Sequence, residues 1–385
     1  MKKILFLIPV LKDGSGIFLT ELAKGLKNLG WDISLASAPE SGDWVEWKNL
    51  REEFERIASS IYEVDFFNRS SQAFWGNVDK LLQVLRNEGF GILAPQSCVP
   101  ASACLICKDL LLLNTPVVLT LHSWGTDRAY WMDLWDTWAL SRVDHVCFVS
   151  EGYRDALLRR LSFKLDLGKT SVIKPGLHIV DDYPHKERLK ETFGLKLNVP
   201  VNSFWITTLG GISERKGHLE LIRAFRRLIE MGKDAYLFFI GPVREMDYFR
   251  EMLTVFKEIH HRVKFMGYMK DPYPLVKASD LFLFPSKSEG LGLALMEAMA
   301  LGVPCISSDI EGTKDLVCNG RYALALEELN EKEILEALIY ALENYEELVY
   351  ISSIAKERVL REFSFARTVE LYDMLYKKFL KASLS

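Results

Sequence analysis

The chain of 385 residues predicts an α/β protein made of two consecutive doubly wound parallel-sheet units. Short apolar runs alternate with amphipathic helical patterns along most of its length. The alternation comes as two series, separated around residues 180–203 by a stretch where apolar periodicity lapses and prolines gather. A chain this long also exceeds what one hydrophobic core usually supports, which independently favours two domains.

The first series opens with an apolar strand, Ile4 to Val10, followed by "LKDGSG", which is expected to be a loop. Phe18, Leu22, Leu26 and Leu29 then recur at helical spacing, and Gly30 supplies the stop before the strand "DISLAS". Strand, loop, helix and strand make a βαβ unit, hence a parallel sheet with helices on its faces. "TPVVLTLH", ending at His122, and "DHVCFVS", ending at Ser150, read as further buried strands. The second series runs through the strand "FWITTLG", the loop "GISERKG", the amphipathic helix "HLELIRAFRRLIEMG" and the strand "AYLFFIG". "RVKFMGY", "DLFLFPS" and "VPCISSD" add three more strands. The domains are therefore placed at 1–190 and 200–364, and a last helix, after "REFSF", has no evident home in either series.

Composition narrows the function classes. With 49% hydrophobic and 26% charged residues the chain is ordinary for a soluble globular protein. The net charge of −4 and the lack of a basic block in either half argue against a nucleic-acid partner. Six cysteines without framework spacing point to a reducing cytosol. Cys104 and Cys107 form a C-x-x-C inside the apolar run "ASACLICKDLLLL" and read as buried helix thiols rather than metal ligands. "MKKILFLIPVLKDGSG" imitates a secretion signal, but its apolar core is short and runs into Lys12 and Asp13, so a buried first strand is expected. No stretch reaches the roughly 18 apolar residues of a membrane-spanning helix.

The stretch "SEGLGLALMEAMALG" carries the chemistry. Glu297 stands in an otherwise apolar helical run, eight positions after Glu289 in a glycine-bounded turn. An ionised carboxylate there costs several kcal/mol unless it is paired. The helix should start near Gly292, where unpaired backbone N–H groups and the positive dipole end favour an anion such as a nucleotide diphosphate. Gly290 and Gly292 permit close approach of a ligand, and Lys216, between a strand and a helix, could neutralise phosphate charge.

"SEGLGLALMEAMALGVPCISSD" resembles the E-x7-E signature of the retaining GT-B glycosyltransferases of family 4 (glycosyl transferases group 1). "GGISERKGHLELIRAF" looks like that family's phosphate-binding segment, "VKFMGYM" like its base-binding turn and "EGTKDLV" like the segment after the next strand. "FSFARTVELYDMLYKKFL" looks like its closing helix, residues 365–385, which would join the first domain. The resemblance implies two Rossmann-like domains facing across a cleft, with the acceptor side in the first and the nucleotide sugar in the second. It implies a hexosyltransferase-type enzyme that needs no metal and no cofactor beyond its UDP-, GDP- or ADP-sugar co-substrate. A sugar, lipid-linked or small-molecule acceptor would receive the sugar. Absence of a D-x-D motif agrees with metal independence.

By the same resemblance Glu289 lies near the transferred sugar and Glu297 binds the ribose hydroxyls. Gly290, Leu291, Gly292 and Leu293 would offer main-chain N–H groups to the sugar and diphosphate. Tyr268 and Met269 would adjoin the base, and Lys216 the diphosphate. The family's arginine five positions before that lysine is Gly211 here, and Arg215 is the candidate substitute. Gln96 replaces a common His, and "VIKPGLHI" carries Pro175 and His178 where Asn and Asp are common. In the first domain, Gly14, Ser15 and Gly16 would present a loop to the diphosphate or acceptor, or simply form a tight turn. His122 is structural or catalytic; its strand-end position gives the two readings equal weight.

Trp131, Trp135 and Trp138 recur at helical spacing, with Arg154, Arg159, Arg160 and Lys164 following. Core packing is the default reading, and a peripheral contact with the inner membrane face from a cytoplasmic position is the alternative. Two rival functions stand beside transfer: a GT-B nucleotide-sugar epimerase, and a non-catalytic nucleotide-binding partner subunit.

Overall fold

The computed structural model describes residues 2–382 except 40–44, 67, 69, 123–129, 162–163 and 178–180. His178 and the side chain of Trp131 lie outside the described residues. The chain divides into two units, Met1–Gly176 with Phe365–Ser385, and Leu177–Ser364.

In the first unit the strands are β1 (Lys3–Leu7), β2 (Asp32–Ser37), β3 (Ser60–Glu63), β4 (Ile92–Pro95), β5 (Val118–Leu121), β6 (His145–Phe148) and β7 (Thr170–Val172). They pair in parallel in the orders β3-β2-β1-β4 and β5-β6-β7, and a parallel bridge between Leu93 and Val117 carries the pairing from β4 to β5. Strand order reverses between β1 and β4, the position in such sheets where ligands meet the carboxyl ends. The run "LKDGSG" is corrected here: the helix already starts at Asp13, so Gly14, Ser15 and Gly16 occupy its first turn and not a preceding loop. The Gly16 N–H closes that turn on the Lys12 carbonyl at 2.9 Å. A Cβ on Gly16 would stand 2.9 Å from the Leu11 carbonyl carbon, so glycine lets the helix fold tightly against the chain leaving β1.

The last helix, Phe365–Ala382, has its home in this unit. Phe365, Val369, Tyr372 and Tyr376 join the core formed by Ile4, Phe6, Leu22 and Ile33. Val369 packs where a Cβ on Gly25 would sit, 2.4 Å from its Cγ2. The Trp31 indole N–H donates to the Asp373 carboxylate at 2.8 Å, and the Thr368 hydroxyl to the Lys174 carbonyl at 2.8 Å.

The second unit is one six-stranded parallel sheet of β8 (Phe204–Leu209), β9 (Ala235–Ile240), β10 (Val263–Gly267), β11 (Leu281–Phe284), β12 (Cys305–Ser308) and β13 (Leu324–Leu326), ordered β10-β9-β8-β11-β12-β13. Its order reverses between β8 and β11. The segment expected to link the domains instead begins this unit, as the helix Lys186–Leu197. It is held there by charge: Asp280 ion-pairs with Lys186 and Lys190, each at 2.6 Å, and accepts the Trp205 N–H at 2.7 Å. Asp181 likewise binds Lys277 at 2.6 Å and Lys356 at 2.8 Å.

Gly217 adopts φ +66°, and a Cβ there would fall 1.9 Å from the Pro285 carbonyl oxygen. This contact holds the turn after β8 against the turn after β11. Gly217→Ala combines left-handed strain with that clash and should lower stability by at least about 2 kcal/mol, read as a drop in thermal midpoint.

Candidate functional site

The β8/β11 reversal brings together the turn 210–217 and the turn 285–292, each after one of those strands. Glu289 is the meeting point. Its Oε1 accepts from the Lys216 ammonium at 2.6 Å and from the Arg215 guanidinium at 2.9 Å; Arg215 also donates to the Ser288 carbonyl at 2.6 Å. Burial by itself would raise the Glu289 carboxyl, but the charges of Lys216 and Arg215 outweigh it and hold the group below the usual 4.5. It is therefore ionised at neutral pH. Two cations around one carboxylate leave the cluster net positive.

Each member is fixed from behind. The Lys216 ammonium lies 4.8 Å from the Phe284 ring centroid, and only 13% of its side chain is exposed. The Glu289 backbone is braced by Gly312, where a Cβ would come within 2.0 Å of the Glu289 carbonyl oxygen. Gly292, at φ +80°, is the N-cap of the helix Leu293–Ala300 and gives it no side-chain cap, and the turn holding Glu289 leads directly into that positive helix end.

Glu297 lies in this helix and is partly buried, and its Oε1 accepts from the Tyr273 hydroxyl at 3.1 Å. Burial pushes its carboxyl up to about 7, with Tyr273 and the charge of Lys216 pulling partly back. The misfit seen in the sequence is thus real, and a protein partner offsets only part of it. Tyr268 and Met269 follow β10 directly, after Gly267 at φ +65°, and Tyr268 is exposed. Gly241 N–H donates to the Gly267 carbonyl at 2.8 Å and Gly210 N–H to the Ile240 carbonyl at 2.9 Å, aligning the ends of β8, β9 and β10.

His122 and the Gly14–Gly16 turn belong to the first unit. Gln96, after β4, donates its amide to the Ala94 carbonyl at 3.0 Å, so its Oε1 faces His122 Nε2 at 2.9 Å. That arrangement fixes a proton on Nε2. Burial lowers the His122 pKa to about 4, so the ring is neutral at physiological pH. Phe18 packs edge-on against it at 5.3 Å. Gln96 thus supports His122 from the neighbouring strand end.

Other expectations resolve more simply. Cys104 and Cys107 are buried free thiols in the helix Cys98–Leu111, and burial raises both. Trp135 and Trp138 pack with tilted rings at 5.5 Å, Trp135 meets Phe74 edge-on at 5.6 Å, and Trp135 stays 36% exposed. No described helix is long and apolar enough to cross a membrane. Three site residues escaped sequence reading. Tyr273 pairs with Glu297, Gly312 braces Glu289, and Arg244, after β9, lies across Gly211. Only the position of Arg244 just beyond a strand's carboxyl end could have flagged it.

The family described as Glycosyltransferase Family 4 matches residues 12–179, and the family described as Glycosyl transferases group 1 matches residues 190–358. The N-acetyl-alpha-D-glucosaminyl L-malate synthase of Bacillus anthracis is 25% identical over 96% of this chain and 94% of its own. The alpha-maltose-1-phosphate synthase of Mycolicibacterium smegmatis is 23% identical over 96% of each chain. Among solved structures, HepE from Anabaena in complex with UDP-glucose superposes with a TM-score of 0.83 at 19% identity, covering 98% of this chain and 99% of that one. The sucrose-phosphate synthase of Thermosynechococcus elongatus gives 0.78 at 18% identity over 99% and 100%. These likenesses give the fold as GT-B, and with a family 4 domain followed by a group 1 domain the chain belongs to the glycosyltransferases.

Proposed function

We propose that this enzyme is a retaining, metal-independent glycosyltransferase that moves a sugar from a nucleotide-diphosphate sugar to a hydroxyl acceptor. The observation that carries this reading is the cluster at the β8/β11 reversal. There an ionised carboxylate and a helix N-terminus from the turn after β11 meet two cations from the turn after β8. The diphosphate binds toward Lys216 and the N–H groups at Gly290, Leu291, Gly292 and Leu293. Glu297 takes the ribose hydroxyls, and the base lies at Tyr268 and Met269. Glu289 orients the sugar and supports positive charge developing at its anomeric carbon.

In the reaction the acceptor oxygen bonds to the anomeric carbon as the bond from that carbon to the diphosphate oxygen breaks. Both events occur on one face, so configuration is retained. The acceptor proton passes to the departing diphosphate, and the nucleoside diphosphate leaves. His122, neutral and presenting Nε2–H to Gln96, is assigned to the acceptor side of the reaction, as is the Gly14–Ser15–Gly16 turn. The proposed setting is the cytoplasm. The acceptor is a glycan, a lipid-linked sugar or a small molecule, and the exposed aromatic patch at Trp135 favours a lipid-linked one.

A thermal-shift series with UDP, GDP and ADP, then with their sugars, tests the reading, since a ligand that binds only the folded state raises the midpoint. One nucleoside diphosphate should raise it by several degrees, equally with and without a chelator. No response to any of them refutes a nucleotide-sugar donor. Donor incubated without acceptor should stay unepimerised; an epimerised nucleotide sugar would assign the epimerase instead.

A further inference from the structure

We propose that Arg244 is the second diphosphate-binding cation of the enzyme, reaching over Gly211 from the loop after β9. The proposal rests on the nucleotide-diphosphate reading above. A Cβ on Gly211 would stand 2.7 Å from Arg244 Cγ, 3.2 Å from its Nε and 3.5 Å from its Cδ. Those spacings put the Arg244 stem directly across the Gly211 backbone, so any side chain at 211 would have to displace it. Gly211 is therefore the opening through which Arg244 reaches the carboxyl end of β8.

The backbone under Arg244 is fixed. Ile212 N–H donates to the Pro242 carbonyl at 2.8 Å, and the Arg244 N–H returns to the Ile212 carbonyl at 2.9 Å. A parallel bridge between Ile212 and Val243 extends the β8–β9 pairing past the strands themselves. Glu245, next in the chain, accepts the Glu214 N–H at 3.0 Å, tying this loop to the turn that carries Lys216. The Lys216 ammonium in turn lies 3.5 Å from where a Cβ on Gly210 would be. Adjacent glycines after β8 are thus each overlain by a cation, at the end of the sheet where ligands bind.

Arg215, the substitute expected from sequence, is directed elsewhere, onto Glu289 and the Ser288 carbonyl. Arg244 has the better chemistry for the role. It is half-buried, where charge is less screened, and a guanidinium can grip two phosphate oxygens at once.

Binding of UDP, GDP and ADP, and of the matching nucleoside monophosphate, to the full chain tests this by calorimetry. Arg244→Met keeps the stem across Gly211 and removes the charge, while Arg244→Lys keeps both. Relative to the parent, the Met variant should lose about 10- to 100-fold in affinity for the preferred diphosphate, and far less for the monophosphate. The Lys variant should fall between. Gly211→Arg combined with Arg244→Gly should regain most of the loss, because it supplies the cation from the other side of the same space. Diphosphate affinity unchanged in Arg244→Met overturns the proposal, and so does an equal loss for mono- and diphosphate, which marks a structural role. A parent that binds no nucleoside diphosphate overturns the donor reading and this proposal together.

Discussion

Glu289→Gln is expected to cut sugar transfer about 10²- to 10³-fold while leaving nucleoside diphosphate affinity intact or raised. The two halves of that result come from one geometry. The carboxylate of Glu289 is kept ionised by Lys216 at 2.6 Å and Arg215 at 2.9 Å, so in the parent it is a fixed negative charge beside the proposed sugar position. Glutamine has nearly the same shape but cannot oppose positive charge developing at the anomeric carbon, so kcat falls. It also releases Lys216 and Arg215 from their shared counter-charge. Lys216 then faces the diphosphate without the Glu289 counter-charge, and ground-state binding does not weaken. A merely structural Glu289 would give the reverse pattern, with lost binding, a lowered thermal midpoint and turnover per bound substrate preserved. Undiminished turnover in Glu289→Gln would end the assignment outright.

Much of this was legible because it is periodic or local. Strands such as "AYLFFIG" are buried on both faces and read as continuous apolar runs, and the helix His218–Glu230 announces itself by its apolar stripe. The carboxylates stood out because charge inside apolar sequence is costly. What stayed hidden depends on contacts between distant segments. Lys186 and Lys190 look like solvated helix charges until Asp280, some ninety positions on, draws them into the second unit. Arg244 is one arginine among many until the missing side chain at Gly211 gives its stem a place. The start of the first helix is concealed in the sequence because "DGSG" has the composition of a turn. The Lys12–Gly16 hydrogen bond nevertheless closes a helical turn there, and glycine is tolerated because the chain passes so close to Leu11.

Replacing Glu297 should stabilise the fold and weaken nucleotide binding, and pH separates the two effects. The folded pKa of about 7 lies above the ordinary 4.5, so between those values the native state holds a proton that the unfolded chain has released. Stability from this group therefore falls as pH rises from about 4.5 to 7 and stays low above that. Because the residue as a whole is only partly buried, the full cost is on the order of 1–3 kcal/mol. Glu297→Gln keeps an acceptor for the Tyr273 hydroxyl and cannot ionise. Its thermal midpoint should exceed the parent's by a few degrees at pH 8 and approach it near pH 5. Binding runs the other way. Ribose hydroxyls donate best to an ionised carboxylate, so parent affinity for the nucleotide should climb from pH 6 to pH 8 and binding at pH 6.5 should release protons. In Glu297→Gln that slope should shrink to the part that ionisation of the ligand's own terminal phosphate, at about pH 6, supplies, with affinity at pH 8 about tenfold lower or less. A variant destabilised at pH 8 with nucleotide affinity untouched would make Glu297 a structural partner of Tyr273. A stabilised variant that has lost all but the ligand's own pH dependence of binding identifies a carboxylate kept in an unfavourable place for its ligand.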